Sequence, residues 1–208
     1  MPPKPKFTRE EIIEAALKIA SNKGMKAVTS RELGAVLGSS ARPIFTAFKN
    51  MDEVLDEVRK AAFERFYEYT NSAVEFTPMF KQVGLQMIRF AAEQPKLYRL
   101  LFMSENAEAR SFDDVFASLG ELGVQCVETI MRDYDMSREE AMLLFSHTWI
   151  FTFAVGSLIS AKACRFDDQQ IEDMLSQDFV AMLTLIKSGR VNNCTTIPTK
   201  IDDNMKGK

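Results

Sequence analysis

Residues 7–54 constrain the fold of this chain more tightly than any other stretch. Thr8 followed three residues later by Glu11 has the spacing of a capping box, which opens a helix by satisfying two orphan backbone donors. Ile12, Ile13, Ala16, Leu17, Ile19 and Ala20 then recur at helical spacing, and Gly24 ends the run as a left-handed cap would. Thr29 or Ser30 caps a second, shorter helix containing Leu33, Val36 and Leu37, with Glu32 again at capping-box spacing from Thr29. Gly38-Ser39-Ser40 breaks it with a tight turn. A third short helix is expected over about 41–48, with Pro43 in its first turn, where a missing N–H costs little. Asn50 or Asp52 starts a long helix with Val54, Val58, Ala62, Phe66 and Tyr69 along or near one face. Short helices joined by a tight turn are how proteins lay one helix in the major groove of DNA.

Beyond this segment the pattern stays helical. Helices are expected near 78–93, 95–103, 111–133, 137–163 and 167–187, with Pro78 and Pro95 marking starts. Ser137 with Glu140 forms another capping box, and Asp167 or Asp168 caps the last helix. No run alternates as a strand would, and there are no repeats. The expected division is 1–50, a small helical domain led by a basic arm; 51–188, a larger helical domain; and 189–208, a tail without periodicity that is expected to be disordered.

Charge is distributed unevenly. Residues 1–50 hold nine Lys/Arg against four Glu, a net of +5, and the remainder carries −8. A basic head on an acidic body suits a polyanionic partner at one end only, although lysines clustered by chance on a surface give the same count. Cys126, Cys164 and Cys194 have no metal-like spacing, and an odd, sparse set suits a reducing cytoplasm. No apolar run follows the basic start, so no signal peptide is expected. The longest apolar stretch, 149–161, is short for a bilayer and carries Thr152, Ser157 and Ser160, so no membrane residence is expected. Nucleophile elbows, phosphate loops and ligand clusters are missing, which speaks against an enzyme and against a metal or other cofactor.

Arg9, Ile12-Ile13, Ala15-Ala16-Leu17, Gly24, Thr29, Arg31-Glu32-Leu33-Gly34, Leu37-Gly38, Ser40, Ile44-Phe45 and Phe48-Lys49-Asn50, followed by Asp52-Glu53-Val54, stand in an order and spacing that resembles the TetR family of bacterial transcriptional regulators. The resemblance covers about the first 60 residues; the rest is similar only in helical layout. Trp149-Ile-Phe-Thr-Phe-Ala looks like a Trp-x-x-x-His-Gly segment of one subgroup, with Phe153 and Ala154 in place of His-Gly. The resemblance implies an all-α chain: an N-terminal three-helix helix-turn-helix DNA-binding domain plus a C-terminal helical ligand-binding and dimerisation domain.

On that reading the third helix enters the major groove. Arg42 contacts a guanine or clamps a phosphate, and Thr46 meets a thymine methyl or a phosphate. Ser40 and Thr29, near helix N-termini, hold phosphates, and Lys49 meets the backbone. Pro43 and Phe45 belong to the same contact set, while Lys4 and Lys6 reach the flanking groove or its phosphates. Ile44, Phe48 and Leu37 are read as core. The family usually has Tyr where this chain has Phe45, a His or other large residue at Ala47 and an apolar residue at Ser39; Phe45 packs but has no hydroxyl to give a phosphate.

The 16 Phe and 12 Met, many after residue 60, suit an adaptable apolar pocket as well as an ordinary helical core. Phe66, Met87, Phe90, Phe102, Phe145 and Trp149 are the candidate ligand-lining set, placed by the family's helical layout. His147 is read as a buried, hydrogen-bonded side chain or a ligand contact. The last two helices are expected to pair with their copies in a two-fold homodimer through Ala154, Leu158, Ile159, Phe179, Met182, Leu183 and Ile186, or else to bury these within the monomer. Together these expectations describe a cytoplasmic one-component repressor of operator DNA, released by an apolar or amphipathic small-molecule effector. The rival is a helical carrier or scaffold whose small domain binds protein rather than DNA; steep salt dependence separates the two.

Overall fold

The structure, a computed structural model, describes residues 6–71, 79–104 and 111–190. Every regular element among them is helical. In chain order these are α1 (Arg9–Lys23), α2 (Ser30–Val36), α3 (Ile44–Ala47), α4 (Met51–Asn71), α5 (Met79–Glu93), α6 (Pro95–Phe102), α7 (Phe112–Ser118), α8 (Gly120–Tyr134), α9 (Arg138–Ser160) and α10 (Asp168–Lys187), with a 3-10 turn at Met25–Ala27.

Local chemistry accounts for most boundaries. The capping box at Thr8 forms: its hydroxyl accepts from the Glu11 N–H at 3.2 Å while the Thr8 N–H donates to Glu11 Oε2 at 2.8 Å. Ser137 with Glu140 and Asp167 with Gln170 repeat the arrangement at the starts of α9 and α10. Gly24 has φ +88°, but its ψ of 164° is extended, so the chain leaves α1 without entering the left-handed helical region. The expected helix over 111–133 is two helices, because Gly120 takes φ +54° and turns the chain between α7 and α8.

The chain groups into two compact units. The first comprises the described parts of Met1–Ser72, with Gln86–Ser104 and Gly156–Arg165. Its core holds Ile12, Ala16, Ile19, Leu33, Ile44, Phe48, Val54 and Val58, all buried. Each large apolar side chain withdrawn from water here contributes about 1.5–3 kcal/mol. Farther along α4, Phe66 meets Phe90 and Phe102 edge-on, with centroids 5.4 and 5.1 Å away. Tyr98 is fully buried beside Phe102. This grouping places all the described residues of α4 with the N-terminal helices, whereas the sequence suggested a boundary at residue 50.

The second unit comprises the described parts of Ala73–Leu85, Glu105–Val155 and Phe166–Lys208. Phe145 is its aromatic hub, stacked on Trp149 at 5.8 Å and in contact with Phe80 at 5.7 Å and Phe116 at 5.4 Å. Helix α9 is long and apolar enough to cross a membrane, yet it reads as a core helix: Ala141, Leu144, Phe145, Thr148 and Thr152 on it are buried within the unit. The hydroxyls of Thr148 and Thr152 donate to carbonyls one turn back, which lets a polar residue sit in that core.

Candidate nucleic-acid interface and ligand cavity

The turn between α2 and α3 is built around two glycines. Gly38 takes φ +61°, a conformation that side-chain-bearing residues resist. Gly34 lies under the turn: the Ser39 N–H donates to its carbonyl at 2.8 Å, and a Cβ at position 34 would stand 2.8 Å from the Ser39 carbonyl oxygen. Regular α-helix in the next segment is limited to Ile44–Ala47, shorter than the expected 41–48. Pro43 lacks an N–H, and the flanking bonds are tight i to i+3 turns: Ile44 N–H to Ala41 at 3.1 Å and Thr46 N–H to Pro43 at 3.2 Å.

Packing splits this segment into two faces. Ile44 and Phe48 are buried in the core, while Ser40, Arg42, Phe45, Thr46 and Lys49 are exposed. Phe45, expected in the contact set, is 46% exposed and stands on the outer face. The Thr46 hydroxyl donates back to the Arg42 carbonyl at 3.3 Å. The Arg42 and Lys49 side chains make no ion pair with any described residue, although the Lys49 charge acts on the Glu53 carboxylate from a distance. Pro43 is half-buried, Thr29 caps α2 by accepting from the Glu32 N–H, and Lys6 reaches the Ser39 hydroxyl at 3.2 Å. Lys4 lies outside the described residues.

Arg9 is the residue whose role the sequence reading missed. From the first turn of α1 its guanidinium donates to the Ala47 carbonyl at 2.6 Å and to Glu53 at 2.9 Å, and it lies 4.0 Å from the centre of the Phe48 ring. Glu53 also accepts from the Lys49 N–H at 2.7 Å, and these partners, the Lys49 amide foremost, hold its carboxyl below the usual range. The orphan groups at the end of α3 are therefore pinned to α1 and α4, and the outer face is held rigidly.

The second unit contains a cavity of about 290 Å³. Phe80, Tyr134, Trp149 and Phe179 supply aromatic wall, Val83, Leu175 and Leu183 aliphatic wall, and Thr148, Thr152, Lys81 and Asp178 the polar groups. Asp178 Oδ2 is buried without a hydrogen-bond partner among the described residues. Burial pushes this carboxyl up from its ordinary value, and His147 acts in the opposite sense. His147 itself is exposed, not buried as expected.

Residues 12–58 match the sequence profile of the family described as bacterial regulatory proteins, tetR family. The N-terminal segment is thus similar to the DNA-binding part of the TetR family, and the match covers under a quarter of the chain. A TetR-like transcriptional regulator from Rhodococcus sp. RHA1 has a similar fold, with a TM-score of 0.58 at 14% identity over 87% of this chain and 96% of that one. The HTH-type transcriptional repressor KstR2 of Mycolicibacterium smegmatis is 24% identical over 114 residues, 53% of this chain; the matched part spans about half of that relative, 55%.

The six candidate ligand-lining residues do not gather at one place. Trp149 lines the cavity, and Phe145 packs against Trp149 and Phe80. Phe66, Met87, Phe90 and Phe102 lie in the other unit, the first three fully buried in its core. Cys126 is buried, its thiol pushed up to about 12, and so keeps its proton; Cys194 lies outside the described residues. Of the expected dimer residues, Ile186 is buried within the monomer, whereas Ala154 and Leu158 are exposed.

Proposed function

We propose that this chain is a transcriptional repressor that binds operator DNA through the 40–49 segment and is released by a small molecule. One observation carries the reading: the 40–49 segment is pinned from behind by Arg9 and Glu53 while Arg42, Phe45, Thr46 and Lys49 face outward with two cations in no ion pair among the described residues. Such a face has the parts needed in a major groove, a guanidinium for guanine and an ammonium for phosphate. The relative's printed name, a transcriptional repressor, supports the direction of control.

The working form is a cytoplasmic homodimer. Helices α9 and α10 each leave large apolar side chains in solvent, Ile150 and Leu158 on one, Val180 and Leu185 on the other. A second copy would cover them, and its two-fold symmetry would fit a near-palindromic operator. An effector acts by binding one arrangement of the two heads better than the other. The test is footprinting over the regions upstream of the chain's own and neighbouring genes, without added ligand. A protected, near-palindromic stretch with steep salt dependence is expected; folded dimer that protects nothing overturns the reading and favours a protein partner for the small domain.

A further inference from the structure

The cavity of the second unit has a chemical signature of its own. Its aromatic side chains form a connected arc: Trp149 stacks on Phe145, Phe145 touches Phe80, Phe80 lies 5.9 Å from Phe179, and Phe179 lies 5.2 Å from Tyr134. Four of these rings line the space directly. Aromatic faces are electron-rich and attract cations, Trp most strongly. Two further charges line or flank the cavity besides Asp178. Lys81 is matched by Glu172 across 3.8 Å, which leaves the Asp178 carboxylate, felt by His147 only from outside the lining, without an ion pair among the described lining residues. Its buried Oδ2 has no donor among the described residues, and a buried oxygen without one carries a desolvation cost that a ligand can remove. An anion would face that carboxylate with no free cation to offset it. A neutral hydrocarbon would fill the space and leave the oxygen dry.

We propose that this cavity binds a small organic cation, an apolar amine or quaternary ammonium, with its positive centre held between the aromatic walls and Asp178. The proposal rests on the repressor reading above, of which it specifies the effector class. A volume of about 290 Å³ is at the small end for ligand pockets and fits one ring or a short branched chain around the charge.

Trp149 is the single tryptophan of the chain and lines the cavity, so its fluorescence reports binding directly. The full chain is titrated with benzyltriethylammonium, with neutral benzyl alcohol and with anionic phenylacetate. The expected result is saturable quenching by the cation with an affinity about tenfold or more above that of either other probe. Asp178→Asn, nearly isosteric, is expected to lose about tenfold for the cation and to leave benzyl alcohol within about twofold. Phe80→Leu, which keeps apolar volume and removes a ring, gives the same pattern and serves if the first variant does not fold. Equal affinity of the wild-type chain for all three probes, or unchanged cation affinity in folded Asp178→Asn, overturns the proposal. A gel shift with the footprinted DNA separates the two readings. Protected DNA with no cation binding removes only the cation site; Asp178-dependent cation binding that leaves the DNA complex intact supports the site and removes its role in release.

Discussion

Arg9 Nη1 donates to the carbonyl oxygen of Ala47 at 2.6 Å, tying the first residue of α1 to the last residue of α3. The same guanidinium reaches Glu53 and lies over Phe48, so one planar fork joins three helices of the small helical head. A cation counted in the basic head is here committed to the architecture behind the exposed face.

Arg9→Ala is expected to destabilise the chain by about 1–2 kcal/mol, the loss of two charge-assisted hydrogen bonds, both partly exposed, and a ring contact. Arg9→Lys keeps the charge but not the fork and recovers only part of this. Thermal unfolding followed by circular dichroism measures both. An Arg9→Ala chain with unchanged melting would show that the tie is idle.

Arg42→Ala and Lys49→Ala are expected to weaken operator binding without loss of helicity, in different ways. Removing a base contact at Arg42 costs about 1–3 kcal/mol and relaxes the preference at one base pair. Removing Lys49 weakens binding to all sequences alike and lowers the salt slope by about one. Gel shifts at several salt concentrations distinguish them, and unaltered affinity in both variants means the contact face lies elsewhere.

Gly156 is packed so closely on Tyr98 that a Cβ there would lie 2.6 Å from the phenol oxygen. Burial pushes that hydroxyl up to about 12, so it stays protonated, with Ser157 beside it acting the other way. Gly156→Ala is expected to cost about 1–3 kcal/mol by overpacking. In a Tyr98→Phe background the penalty shrinks, because the nearest atom is gone. Denaturant unfolding of the four chains of this double-mutant cycle gives the coupling, and additive effects would refute the contact.

Asp178 has its carboxyl raised above the ordinary value, mainly by burial. The folded state therefore favours the protonated acid, and the stability it contributes is present at low pH and lost as pH rises through the folded value. Asp178→Asn is expected to raise the melting temperature at pH 7. The gain fades as the pH is lowered toward the ordinary aspartate value of 3.8. A variant that melts lower than the parent at pH 7 contradicts this.

How far the chain could be read in advance follows from the range of the forces involved. The openings at Thr8 and Ser137 were legible because a capping box closes within four residues, while the last helix's start was left between Asp167 and Asp168, of which Asp167 is the cap. The break at Gly120 was not, since a glycine inside an apolar run gives no sign of whether it will turn or continue. Ile44 and Phe48 against Arg42 and Lys49 could be sorted by helical spacing. Phe66, Met87, Phe90 and Phe102 carry the same apolar signal as Trp149, and only packing between distant segments separates a filled core from a cavity wall. Asp178 and Arg9 stayed hidden because a charged residue on a helix reads as solvated surface until its neighbours are known.

The corner beneath the recognition segment limits how this head can acquire a new target. Position 34 has room for a hydrogen and nothing larger against the Ser39 carbonyl. If the proposed DNA-contact reading holds, specificity would drift through the exposed side chains at 42, 45, 46 and 49 while that α-carbon stays bare. A combinatorial library meant to retarget the protein should therefore leave residue 34 untouched, because randomising it would discard mostly misfolded heads and not wrongly addressed ones.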